Sequence, residues 1–253
     1  MKYIDSHTHV CYEDLDKYEI DLEIARKEGI SEILLILTNE KERLDHDRFK
    51  SDLVKLAYGI YPSGDTEIDY KKLNELEELM KNDYYLALGE IGLDYYWYKD
   101  NKEVQKELFK LQLDIADRCN KPIIVHCRDA MGDLYEILKE RPNKKRGVIH
   151  SFSGSKEMAV ALTKLGYYLS FNGVLTFKNA KNVKESILAI DKQYLLFETD
   201  APYLTPEPMR GKMNHTYYVK LVYEYAAKLL NMDLDELCLQ VSKNYRRLFY
   251  AEN

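Results

Sequence analysis

The chain has 253 residues, 45% hydrophobic and 32% charged, the balance of a globular protein that can bury a sizeable core, and a length that suits one large α/β domain or two small ones. A formal net charge of −6 excludes bulk attraction to nucleic acid or to an anionic membrane, although it leaves room for a local basic groove or a metal-assisted phosphate site. Apolar runs such as Ile33–Leu37 fall far short of the roughly 20 residues of a membrane span. No charged-then-apolar leader stands ahead of Asp5, and the four cysteines, at 11, 119, 127 and 238, show no CxxC spacing. The expectation is a protein of the reducing cytoplasm, without a disulfide frame or a thiolate zinc knot.

In chain order, short β-rich runs alternate with longer amphipathic stretches. A strand at Lys2–Ser6 precedes a helix at Leu15–Lys27, which Gly29 ends. Strands follow at Glu32–Leu37 and Lys55–Ile60, then a helix at Asp69–Lys81, a strand at Tyr85–Gly89 and a helix at Lys102–Cys119. Next come a strand at Pro122–His126, a helix at Met131–Lys139, a strand at Gly147–His150 and a helix at Ser155–Leu165, closed by Gly166. The last unit sets a strand at Tyr167–Phe171, a helix at Asn179–Ile190 and a strand at Tyr194–Glu198. Runs such as "ILLIL" and "PIIVH" are apolar throughout, as a parallel strand covered on both faces requires. Two helical stretches complete the chain, Tyr217–Leu230 and Asp233–Tyr250, whose Leu, Val and Tyr stripes read as packing faces. The pattern predicts a (β/α)8 TIM barrel, a single domain over residues 1–253 with an extra C-terminal helix. A doubly wound open sheet is the alternative, but its Gly-rich phosphate fingerprint is absent.

The opening "MKYIDSHTHV" sets two imidazoles two residues apart, and on an extended strand His7 and His9 face the same side. Alone, that pair fits a metal site or a surface strand with incidental histidines. Along the chain, metal-type residues recur at the ends of predicted strands: Glu90 in "LALGEIGLD", His126 in "PIIVHCRDA", His150 in "GVIHSFSG" and Asp200 in "LLFETDAPYL". In a (β/α)8 barrel those ends form the face that carries active sites. Four imidazoles and two carboxylates exceed the needs of one tetrahedral zinc and suit two divalent ions with Glu90 as the shared carboxylate. The expected sets are His7, His9, Glu90 and Asp200 for one ion, and Glu90, His126 and His150 for the other. Such a pair activates a water and polarises a phosphoryl or carbonyl oxygen, with Asp200 as general base. Mixed His and carboxylate ligands accept Zn²⁺, Mn²⁺, Fe²⁺ or Ni²⁺, and Mg²⁺ less readily. Asp5 is expected to point to the same face and to orient a histidine or a helix N-terminus, or to be a buried hydrogen-bonding residue. The remaining histidines, His46 and His215, fall in a helix or loop, with His46 expected in solvent.

The stretches "DSHTHV", "GEIGLDYY", "PIIVHCRDA", "HSFSG" and "LLFETDAPYLTP" resemble the TatD family of metal-dependent hydrolases, within the amidohydrolase-like superfamily. The resemblance runs from residue 5 to about residue 214. It implies a TIM barrel with a divalent metal centre and a metal-dependent deoxyribonuclease, often a 3′-to-5′ exonuclease, with the six ligand roles on His7, His9, Glu90, His126, His150 and Asp200. Glu198 and Arg128 would fix ligands or touch a phosphate; an ion pair with Asp129 is the other reading of Arg128. "RGKMN" resembles the family's RGKxN segment, so that Arg210 and Lys212 would meet phosphate oxygens or form a solvated basic loop. Two departures stand out. Where many members carry GxHP after the third strand, this chain has "GIYP", with Tyr61 in the histidine's place and able to donate a hydrogen bond to phosphate. Where members continue RGKxN with Glu-Pro, this chain has His215-Thr216.

Two activities fit these residues. The first is a two-metal phosphodiesterase acting on a single-stranded DNA end, with Tyr95, Tyr96, Trp97 and Tyr98 of "LDYYWYKD" on the rim as base supports or as lid packing. The second keeps both ions and hydrolyses a non-nucleic-acid ester or amide, such as an aminoacyl ester or a lactone. Neither requires a membrane or an obligate protein partner, and a binding protein without catalysis is disfavoured by the complete ligand set.

Overall fold

The computed structural model describes residues 2–9 and 15–251. Its eight strands form one parallel sheet in chain order, a (β/α)8 barrel. They are β1 (Tyr3–Thr8), β2 (Ile30–Leu37), β3 (Val54–Tyr58), β4 (Tyr85–Asp94), β5 (Ile123–Arg128), β6 (Gly147–Ile149), β7 (Tyr168–Phe171) and β8 (Leu195–Phe197). The helices are α1 (Leu15–Lys27), α2 (Glu40–Leu44), α3 (Tyr70–Met80), α4 (Lys102–Arg118), α5 (Met131–Glu140), α6 (Lys156–Lys164), α7 (Lys181–Ala189), α8 (Val219–Leu230) and α9 (Leu234–Phe249).

Every residue of β1 and β4 is buried, as strands enclosed by a barrel interior and a helical coat must be. Local chemistry sets the helix ends. Asp69, Ser155 and Asp233 accept hydrogen bonds from the first free N–H groups of α3, α6 and α9. Gly29 and Gly166 take φ of 84° and 90° just after α1 and α6.

The seam between β8 and β1 carries no ladder among the described residues and is closed by individual hydrogen bonds. The Ser6 hydroxyl donates to the Phe197 carbonyl at 2.9 Å, Asp200 N to His7 O at 2.9 Å and His9 N to Ala201 O at 2.9 Å. Tyr223 of α8 reinforces it by donating its hydroxyl to Ile4 O at 3.1 Å.

The expected elements are present, with shifted boundaries and some additions. β1 and β4 extend beyond Ser6 and Gly89, to Thr8 and Asp94, so that His7 and Glu90 lie within strands rather than after them. The segment between β2 and β3 folds into the five-residue α2 and a 3₁₀ turn at His46–Phe49. No residue of α2 is buried, so the segment lacks the apolar stripe by which a helix is read from sequence. His46, expected in solvent, is half-buried: its Nδ1 lies 2.9 Å from the Arg43 carbonyl and its ring edge meets Tyr85. Cys119, Cys127 and Cys238 are free thiols, and Cys11 lies outside the described residues. No helix among the described residues is long and apolar enough to cross a membrane.

Candidate metal centre

β1 delivers the first two side chains. His9 turns Nδ1 to the Ile36 carbonyl at 3.3 Å, an acceptor that calls for the ring proton on Nδ1 and directs Nε2 into the site. That Nε2 is 3.3 Å from His7 Nε2, 3.2 Å from Asp200 Oδ1 and 4.0 Å from Glu90 Oε2. His7 Nε2 in turn lies 3.7 Å from Asp200 Oδ1 and 3.8 Å from Glu90 Oε2. These four ligand-type atoms enclose one small volume.

The other oxygen of Glu90 faces a second group. Glu90 Oε1 lies 2.8 Å from His126 Nδ1 and 2.7 Å from His150 Nε2, and those two nitrogens are 3.4 Å apart. The His7 and His150 rings stack at 3.9 Å between centroids, so the two groups are contiguous. Three overlapping sets have the spacing to hold a metal ion: His7, His9 and Glu90; Glu90, His126 and His150; and His7, His150 and Asp200.

Burial works against charge on Glu90 and on the four imidazoles. On His7 it dominates, with His150 adding repulsion, and the imidazole is held well below its usual range, in the neutral form that ligates metal. Burial opposes the ionisation of Glu90 too, but His150 and His126 overcome it and hold the carboxyl well below its usual range. Burial likewise opposes charge on His150, where Glu90 and Glu198 prevail and raise it well above its usual range. Three buried atoms of the site, His7 Nδ1, His150 Nδ1 and Glu198 Oε2, have no hydrogen-bond partner among the described residues, although such atoms are costly to leave unpaired. The donor set, imidazole and carboxylate without thiolate, fits divalent transition metals.

The expected supporting residues are placed as follows. Glu198 is fully buried; its Oε1 faces His150 Nδ1 at 3.5 Å and accepts from Ser151 N at 2.8 Å. Asp5 is turned on the barrel seam instead of an imidazole. Its Oδ2 accepts from the Thr199 and Thr216 hydroxyls, each at 2.6 Å, and its Oδ1 from Thr199 N at 2.9 Å. Burial pushes this carboxyl up to about 7 despite those donors. The Arg128 guanidinium lies 4.1 Å over the Tyr96 ring and 5.5 Å from Trp97, and the alternative reading, an ion pair with Asp129, is not made. Arg210 rests over Phe177 at 4.4 Å, and both Arg210 and Lys212 are exposed on the loop after β8. Of the aromatic run, Tyr96 and Trp97 are exposed, whereas Tyr95 is buried with its hydroxyl on Asp133 at 2.7 Å. Tyr61 does not offer its hydroxyl to the open site: it donates to Asp94 Oδ2 at 3.0 Å.

Asp94, not anticipated, is the acceptor at the centre of this edge. Its Oδ2 also lies 3.1 Å from His126 Nε2, and its Oδ1 accepts from Tyr96 N and Trp97 N at 3.0 and 2.9 Å. The signal was available: Glu90, Gly92 and Asp94 are separated by even steps on one strand and share a face. Thr199, Thr216 and Asn214, which brace the loop after β8, carried no comparable signal.

A parallel (β/α)8 barrel with six clustered imidazole and carboxylate side chains at its mouth is the architecture of a metal-dependent hydrolase. The family model described as "TatD related DNase" matches residues 4–250. YabD of Bacillus subtilis, described as an uncharacterized metal-dependent hydrolase, is 38% identical over 256 residues, 97% of this chain and 98% of its own. YcfH of Escherichia coli K12, described in the same words, is 36% identical over 260 residues, covering 100% of this chain and 97% of its own. The crystal structure of YJJV, a TatD homolog from Escherichia coli, superposes with a TM-score of 0.91 at 27% identity, over 98% of each chain. The chain belongs to the TatD family of metal-dependent hydrolases.

Proposed function

We propose that this protein is a cytoplasmic deoxyribonuclease of one barrel domain that hydrolyses phosphodiester bonds at single-stranded DNA ends, 3′ to 5′, with two divalent ions at the barrel mouth. One observation carries the reading: Glu90 presents Oε2 to the group of His7, His9 and Asp200 and Oε1 to His126 and His150, the disposition of a carboxylate shared by two ions. When bound, the ions supply Lewis acidity toward a phosphoryl oxygen and an activated water. Asp200, more accessible than Glu90 at 13% against 7% side-chain exposure, receives the proton of the attacking water. Tyr96 and Trp97, with Arg128 stacked on them, offer an exposed aromatic edge for the terminal bases, and Arg210 and Lys212 offer exposed cations for the phosphates.

The test is nucleotide release from 3′-end-labelled single-stranded DNA by metal-stripped protein reloaded in turn with Mg²⁺, Mn²⁺ and Zn²⁺. Metal-dependent release is expected, and Asp200→Asn should lower its rate about 100-fold or more. A second reading, hydrolysis of a non-nucleic-acid ester or amide, draws support from Tyr61, whose hydroxyl is engaged by Asp94 and is not presented to a phosphate. Absence of digestion with the ions verified as bound would replace the first reading with the second.

A further inference from the structure

A ligating histidine carries its one ring proton on the nitrogen that does not meet the metal, and that nitrogen's partner fixes the proton there. For His9 that partner is a backbone carbonyl, which takes Nδ1–H and leaves Nε2 to the site. His126 is oriented the other way: Nδ1 faces Glu90 and His150, and Nε2 faces away from them.

The surroundings of Nε2 decide its proton. His126 Nε2, Tyr61 Oη and Asp94 Oδ2 form a closed triangle with sides of 3.0, 3.0 and 3.1 Å. Asp94 is fully buried, and as a carboxylate it only accepts. Suppose Nε2 were bare. The Tyr61 hydroxyl has one proton; given to Nε2, it leaves Asp94 Oδ2 facing two lone pairs with no solvent to compensate, and given to Asp94, it leaves Nε2 opposed to two oxygen lone pairs. Both are costly in a buried site. With Nε2–H, both N–H and O–H donate to Asp94 Oδ2 and every group is satisfied. The two backbone donors on Oδ1, Tyr96 N and Trp97 N, hold the carboxylate in place.

We propose that Tyr61 and Asp94 clamp His126 as positioning residues, keeping its proton on Nε2 and turning the Nδ1 lone pair toward the ion shared with Glu90 and His150. Tyr61, the residue that departs from the GxHP pattern, thereby acts on the metal centre from behind and not on substrate. The inference rests on the two-ion reading above.

Two measurements test it. Long-range ¹H–¹⁵N correlation spectra of the Zn²⁺-loaded protein, with the His126 signals assigned by their loss in His126→Gln, should show Nε2 protonated and Nδ1 carrying the metal shift. Calorimetric titration of the metal-stripped protein with Zn²⁺ should show Tyr61→Phe, which keeps the ring and removes only the hydroxyl, weakening one ion about 10–100-fold and sparing the other. Protonated Nδ1 in the wild type, or two ions bound by Tyr61→Phe with unchanged affinity, would overturn the clamp. Fewer than two Zn²⁺ per wild-type chain would end the two-ion reading, while the position of the His126 proton decides the clamp at whatever stoichiometry is found.

Discussion

Glu90 is the residue on which the two candidate ion positions depend, because each of its oxygens serves a different set of imidazoles. His9, by contrast, touches one set only. The two substitutions should therefore separate. His9→Ala is expected to remove one Zn²⁺ and keep the other, whereas Glu90→Gln should weaken both, by more than the roughly 10–100-fold typical of outer-shell changes. Equilibrium dialysis with metal analysis reads the difference, and loss of a single ion from Glu90→Gln would show that it is not shared. The clustering of these six side chains was legible because His, Asp and Glu at successive strand ends are a pattern of residue types. What the supporting residues do was not. Asp5 shares the strand face of His7, yet its carboxylate turns to Thr199 and Thr216, partners 194 and 211 residues away that no local spacing announces. Arg128, expected to fix a ligand or touch a phosphate, lies over the Tyr96 and Trp97 rings.

At the level of elements, the strands were readable from continuous apolarity and the helices from their stripes and caps. The boundary that mattered was misread at β4, where Gly89 looks like a stop. The glycines are there for a different reason. A Cβ on Gly92 would lie 2.0 Å from the His126 carbonyl oxygen, and its φ is +141°; a Cβ on Gly89 would lie 2.5 Å from the Ile124 side chain. Glycine inside this strand lets β4 approach β5 closely, and that approach sets Glu90 against His126. Gly92→Ala should therefore destabilise the fold by about 3 kcal/mol or more, seen as a lower urea midpoint. It should also reduce Zn²⁺ uptake even where the protein remains folded. An unchanged midpoint would mean that β4 and β5 can separate without cost.

Across the whole molecule, the barrel could be foreseen from the alternation of elements, but the manner of its closure could not. β8 has only three residues, and the seam to β1 depends on single hydrogen bonds and on α8 and α9 packed outside it. Those helices contribute tyrosines to the interior: Tyr223 and Tyr245 are almost wholly buried, as is Tyr167 beside β7. Of the chain's 22 tyrosines, these define an alkaline limit. Burial pushes the Tyr167 phenol up to about 12, against the hydrogen bond it accepts from Asn143 N, and holds Tyr223 and Tyr245 well above the usual phenol range. A phenol whose pKa is raised by folding contributes stability that is complete below its unfolded value of about 10 and is lost as the pH rises through its folded value. Between pH 10 and about 12 the unfolded chain releases these protons and the folded chain does not, so the urea midpoint should fall steadily across that window. Spectrophotometric titration should show these buried tyrosines ionising only together with loss of the helical circular dichroism signal. Ionisation of Tyr223 and Tyr245 near pH 10 with that signal intact would mean that the tyrosines of α8 and α9 are accessible to solvent and that the seam is held without them.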